Sequence, residues 1–200
     1  MSVWYEITVT GKESAVRAFV AACAAGVGGR EMAEFGRDLD LEPSGVSQLV
    51  RELFAKGSRH LVFAPAALAH DLELALRGRG GEADLELDGV REVVSAKVRF
   101  KASAFSRELA GRIRTDLLQA LPPGVEGREI EEHEDCDPDA REAELYTPEH
   151  EYVYRASGVF SGPFPGIVEV HRRAADLPFV KLGPIELETR PAGPEERANG

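Results

Sequence analysis

The sequence predicts an α+β fold on three observations: runs of apolar-polar alternation, runs with apolar residues three and four positions apart, and glycine or proline at most of the joints between them. With 200 residues, 43% of them apolar, the chain can bury a core in one large domain or two small ones.

The elements follow in order. Val3, Tyr5, Ile7 and Val9 alternate with Trp4, Glu6 and Thr8, which predicts a first strand. Ala15, Val16, Phe19, Val20 and Cys23 then recur at helical spacing until Gly26 and the Gly28-Gly29 pair stop them. Glu31 to Leu41 reads as weakly patterned extended chain. Pro43-Ser44 opens a second helix with Val46, Leu49, Val50, Leu53 and Phe54 on one side, and Gly57 closes it. His60 to Ala64 is a short apolar strand. Pro65 suits a first helical turn, and Leu68, Leu72 and Ala75 carry the third helix to the Gly78–Gly81 cluster, before a strand over Ala83 to Leu87.

The second half opens on the clearest strand, where Val94, Ala96, Val98, Phe100 and Ala102 alternate with Ser95, Lys97, Arg99, Lys101 and Ser103. Ser106 caps a helix with Leu109, Ile113 and Leu117 as its stripe, and Pro122-Pro123-Gly124 ends it. Val125 to Glu132 is expected as a strand, followed by an acidic loop. His150 to Phe160, Ile167 to Arg172 and Phe179 to Glu188 read as extended, with Pro191 to Gly200 as a frayed tail. At Ile167-Val168-Glu169-Val170 the β-branched residues after Pro165-Gly166 favour strand over helix.

The halves echo each other. Gly26 to Glu34 aligns without a gap on Gly124 to Glu132, identical at six of nine positions, and the preceding helices agree in apolar phase. A duplicated strand-helix-strand unit accounts for this, as does the simpler fact that a helix stop before a strand invites similar residues twice. With duplication the architecture becomes two tandem ferredoxin-like, split βαβ-type lobes, largely antiparallel sheet backed by helices, the second half richer in strand. The expected boundaries are 1–89 for the N-terminal lobe, 90–189 for the C-terminal lobe and 190–200 for a flexible tail.

Charge narrows the function. Acidic residues outnumber basic ones by 35 to 24, a net charge of -11 that repels phosphate backbones and anionic lipid headgroups. Nucleic-acid and membrane roles are therefore not expected. The N-terminus lacks a basic segment followed by an apolar run, and no stretch is apolar enough to span a bilayer. Cys23, on a core stripe, and Cys136, among acids, look unrelated and fit a reducing, cytoplasmic setting.

The densest polar cluster runs from Glu131 to Asp139. His133, Cys136 and His150 are its candidate ligands for a divalent metal, although one His-x-x-Cys followed by long gaps is not the paired spacing of a closed zinc site, and a solvated acidic loop is the competing reading. The Asp135, Asp137, Asp139 series fails as an EF-hand, because Ala140 stands where glycine is required. As a nucleophile Cys136 is poorly placed, since surrounding carboxylates oppose its thiolate. Tyr152 and Tyr154, with His150 on the same strand face, and Phe164 between two prolines are candidate ligand-binding residues; a half-buried sheet face explains the tyrosines equally well. Lys97, Arg99 and Lys101 form a basic row that Glu129 and Glu131 would neutralise if their strands were neighbours. The glycine clusters follow helices, so they read as C-caps rather than nucleotide loops.

These residues rank three functions. First is a non-catalytic α+β module binding a small molecule or a protein through Tyr152, Tyr154 and Phe164. The alternative is a metal-dependent enzyme using His133, Cys136 and His150. Third is a structural homodimerisation domain that pairs exposed sheet edges.

Overall fold

The computed structural model describes residues 3–26, 33–39, 41, 58–78, 85–136 and 152–192. Among these the chain is mixed α+β, a mostly antiparallel sheet of eight strands backed by four helices. It divides into two compact units, Met1–Val94 with Glu186–Gly200, and Ser95–Ile185.

Unit 1 contains β1 (Trp4–Thr10), α1 (Glu13–Gly26), β2 (Glu34–Phe35), a 3-10 turn over Gly36–Leu39, β3 (Arg59–Pro65) and α2 (Ala66–Gly78). The first half of β4 (Glu86–Ala104) and β8 (Glu186–Pro191) complete it. Its strands run β2-β3-β1-β4, antiparallel at each step. Alternation in β1 sends Tyr5, Ile7 and Val9 to the side where Val16, Phe19 and Val20 of α1 and Leu68, Leu72 and Leu76 of α2 pack. The opposite side is also covered, because Leu61, Phe63, Leu39 and Leu41 are all buried. The turn after β2 lies so close that a Cβ on Gly36 would stand 2.9 Å from the Leu61 Cβ.

Unit 2 uses the second half of β4, α3 (Arg107–Arg112) running on as a π-helix over Ile113–Gln119, β5 (Glu126–Cys136), β6 (Tyr152–Gly162), α4 (Phe164–Ala175) and β7 (Val180–Leu182). Ser106 caps α3 as expected, its Oγ accepting from the Leu109 backbone N–H at 3.2 Å. β4 is flanked by β6 and β7, and β5 lies beyond β6, again antiparallel. Each unit thus places its first strand beside its third, its second strand outside the third, and its fourth on the far side of the first. The core joins Val98, Phe100, Tyr154 and Phe160 to Ile113, Leu117, Ile167 and Val168, with Phe100 and Phe160 stacked at 4.6 Å.

Several expectations are corrected. Residues 164–175 are helical, not extended: Pro163 stands at the N-cap, Pro165 in the first turn, and Phe164, Ile167, Val168 and Ala174 are buried at helical spacing. The helix cost of two or three β-branched residues is at most roughly 0.7 kcal/mol each, while burying one such side chain gains roughly 1.5–3 kcal/mol, so burial wins. Gly166 permits close docking, since a Cβ there would lie 2.5 Å from Val125 Cγ2. The strand expected to end at Glu132 runs on through His133 to Cys136, where an acidic loop was expected. The predicted helix over Gly45 to Lys56, residues 137–151 and the tail beyond 192 lie outside the described residues. Among the described residues no helix is long and apolar enough to cross a membrane.

Candidate functional site

The two faces of the unit 2 sheet differ in kind. Toward the helices, Arg114 donates from Nε to Glu132 Oε2 at 2.9 Å and from Nη2 to Glu134 Oε2 at 2.7 Å, and Tyr154 donates its hydroxyl to Glu132 Oε2 at 2.8 Å. The Arg114 guanidinium also lies 4.5 Å from the Tyr154 ring centroid. Arg114 holds the Glu132 and Glu134 carboxyls below the usual range, with Tyr154 as second donor to Glu132, and burial pushes the Tyr154 hydroxyl up. Donors meet acceptors throughout this cluster.

This network also accounts for the aromatic candidates. Tyr152, Tyr154 and Phe164 are 7%, 0% and 2% exposed, so their rings belong to the core and offer a ligand no face. His133 is exposed on β5 opposite Arg155, Cys136 closes the strand opposite Tyr152, and His150 is outside the described residues. Among the described residues no group of three or more His, Cys, Asp and Glu is gathered to hold a metal ion.

The open face carries the cleft. Arg99 and Lys101 of β4, Lys181 to Gly183 at β7, Ser157 to Val159 of β6, and Glu129 and Glu131 of β5 enclose about 520 Å³. That volume lies in the range of small-molecule sites, roughly 300–1,000 Å³. Strand alternation builds it: Val98, Phe100 and Ala102 turn inward, so Lys97, Arg99 and Lys101 turn outward. Lys101 stands directly opposite Lys181 in the ladder, a like-charge pair that costs roughly 0.2–1 kcal/mol. The expected neutralisation of this row does not occur by strand pairing, because β6 intervenes between β4 and β5. Among the described residues no ion pair joins Lys101 or Lys181 to Glu129 or Glu131.

A bulge shapes the acidic wall. Between Arg128, opposite Val159, and Glu131, opposite Ser157, two residues of β5 face Gly158 alone. Glu129 takes the left-handed conformation there, at φ 52°. Ile130 folds over Gly158, where a Cβ would meet Ile130 Cδ1 at 2.8 Å and Phe100 Cε1 at 3.0 Å. The cleft was partly visible in sequence. An isolated glycine in an alternating strand, such as Gly158, signals a bulge or close backbone approach; Lys181 had no pattern to betray it, since its strand is three residues long.

Comparison with known proteins adds little. No family model matches the chain, and no curated protein does. Among solved structures, an unknown protein from Galdieria sulphuraria is 12% identical with a TM-score of 0.29, covering 94% of this chain and 99% of its own. The CRISPR-associated protein Cas6e from Escherichia coli is 8% identical at 0.29, over 90% and 99%. A mutant chlorite dismutase from Candidatus Nitrospira defluvii is 12% identical at 0.28, over 96% and 93%. Scores this far below 0.5 tie the chain to none of them.

Proposed function

We propose that the chain is a non-catalytic binding module made of two ferredoxin-like lobes, and that it holds a small anionic ligand in the open-face cleft of unit 2. The lobe reading rests on the strand orders, each of which follows the βαββαβ pattern with the first and third strands central. The single observation that carries the ligand reading is Lys101 set against Lys181, with Arg99 beside them, on the wall of a cleft of ligand size. Like charges placed in register favour an anion that lies between them. A small anion suits the site better than nucleic acid, because the chain's net charge of -11 repels a long phosphate backbone.

Two observations weigh against the alternatives. Arg155, opposite His133, opposes a metal cation at that end of β5. The β5 edge carries Glu126, Glu129, Glu131, Glu132, Glu134 and Asp135 and is bulged, both of which discourage edge-to-edge dimers. Thermal unfolding with millimolar phosphate, pyrophosphate or citrate tests the reading. At least one should raise the melting temperature of the native chain and leave Lys101→Ala/Lys181→Ala unmoved. No shift with any of the three, or equal shifts in both proteins, would end it.

A further inference from the structure

We infer that the ligand of this cleft is amphoteric, its anionic group at Arg99, Lys101 and Lys181 and a protonated amine at Glu129 and Glu131; this rests on the anion-binding reading above. The cleft is divided by charge. Its basic wall stands on β4, with β7 beyond it, and its acidic wall on β5, with β6 between β4 and β5. Two strand spacings, roughly 10 Å, separate the Cα lines of β4 and β5, and three, roughly 14 Å, separate those of β7 and β5. Among the described residues no ion pair joins Lys101 or Lys181 to Glu129 or Glu131 across the cleft, so its volume of about 520 Å³ has room for a molecule that carries both charges. A purely anionic ligand would meet two carboxylates across the cleft, and a purely cationic one would meet three cations. Only a ligand with both signs is attracted by both walls.

The bulge supplies an independent reason. Its left-handed position, φ 52°, is one that glycine occupies without strain and glutamate does not. The bulge itself has a packing purpose, because it seats Ile130 over Gly158 against Phe100. Glycine at 129 would serve that purpose better. The packing therefore accounts for the bulge but not for a carboxylate at its strained position, and that carboxylate lines the cleft with Glu131.

Isothermal titration of the full chain with phosphoethanolamine, N-acetyl-phosphoethanolamine and inorganic phosphate separates the possibilities. The free amine is expected to bind about tenfold tighter than its acetylated form, the worth of one charge-assisted pair. Glu129→Gln/Glu131→Gln should erase that difference while still binding phosphate, and Lys101→Ala/Lys181→Ala should lose all three. Equal binding of free and acetylated amine, with tighter binding of both after the glutamine substitutions, overturns the amphoteric inference and leaves the anion site standing. Failure of all three to bind removes the anion site and this inference with it. Glu129→Gly gives a check that a failure to fold cannot mimic: its melting temperature should rise as the amine preference disappears. A lower melting temperature would remove the strain on which the inference stands.

Discussion

In unit 1 the sheet face turned away from α1 and α2 carries Glu6, Leu61 and Phe63, all buried, with the Gly36 turn seated on Leu61. In unit 2 the corresponding face carries Lys97, Arg99 and Lys101, all exposed, and Val159 half-buried beside the cleft. The strand order is shared, so topology does not decide what happens on the second face. Composition does: β3 buries both of its faces from His60 to Pro65, with Leu61, Val62, Phe63 and Ala64 in a row, whereas the second half of β4 alternates buried with exposed. One strand order thus goes with a sheet covered on both faces in unit 1 and on one face in unit 2.

The largest test of this contrast removes equivalent side chains from the two third strands. Leu61→Ala should cost roughly 2–5 kcal/mol, as for other buried leucines, and Val159→Ala less than about 1 kcal/mol. Equal losses in urea unfolding would mean that both faces are covered alike.

A smaller effect follows from Glu6, which the covered face desolvates. Burial pushes its carboxyl up, and Arg91, opposite it in the ladder, pulls only partly back. The folded chain then keeps a proton that the unfolded chain has released. Stability is fullest below the ordinary carboxyl range and declines as pH rises through it toward the raised folded value. Glu6→Gln should flatten that decline and give a more stable protein at pH 7 than the native chain. An unchanged pH profile in denaturant unfolding would show that Glu6 is not desolvated.

The smallest effect has the opposite sign. Glu132 in unit 2 is held below the usual range by Arg114 first and Tyr154 second. Its contribution is present above the ordinary carboxyl range and lost as pH falls through the lowered folded value. Because the side chain is 38% exposed, solvent screening keeps the change modest. Glu132→Gln should unfold less steeply in acid, and an acid transition identical to the native one would show that the Arg114 cluster does not hold its charge in solution.

Alternation made the central strands legible. Tyr5, Ile7 and Val9, and Val98, Phe100 and Ala102, point inward where the period-two pattern put them. Local propensity misled at Ile167 to Val170, where burial against the sheet outweighed β-branching. It misled again from His133 to Cys136, where pairing with β6 continues an acidic strand whose composition reads as loop. The cleft needed facts that no single segment carries. Lys101, Glu129 and Lys181 are far apart along the chain, and only strand order brings them to one face. The predicted tyrosine site had the reverse fault, because a strand's faces can be told apart by pattern but not which of them the helices cover.

β7 is joined to β4 through three rungs, Val180 to Ala102, Lys181 to Lys101 and Leu182 to Phe100. The middle rung pairs two lysines, so like charges stand on facing residues at the centre of the shortest ladder in the unit. Whatever screens those ammonium groups also fastens the strand. If the proposed anion binds there, β7 is the strand it would hold most firmly.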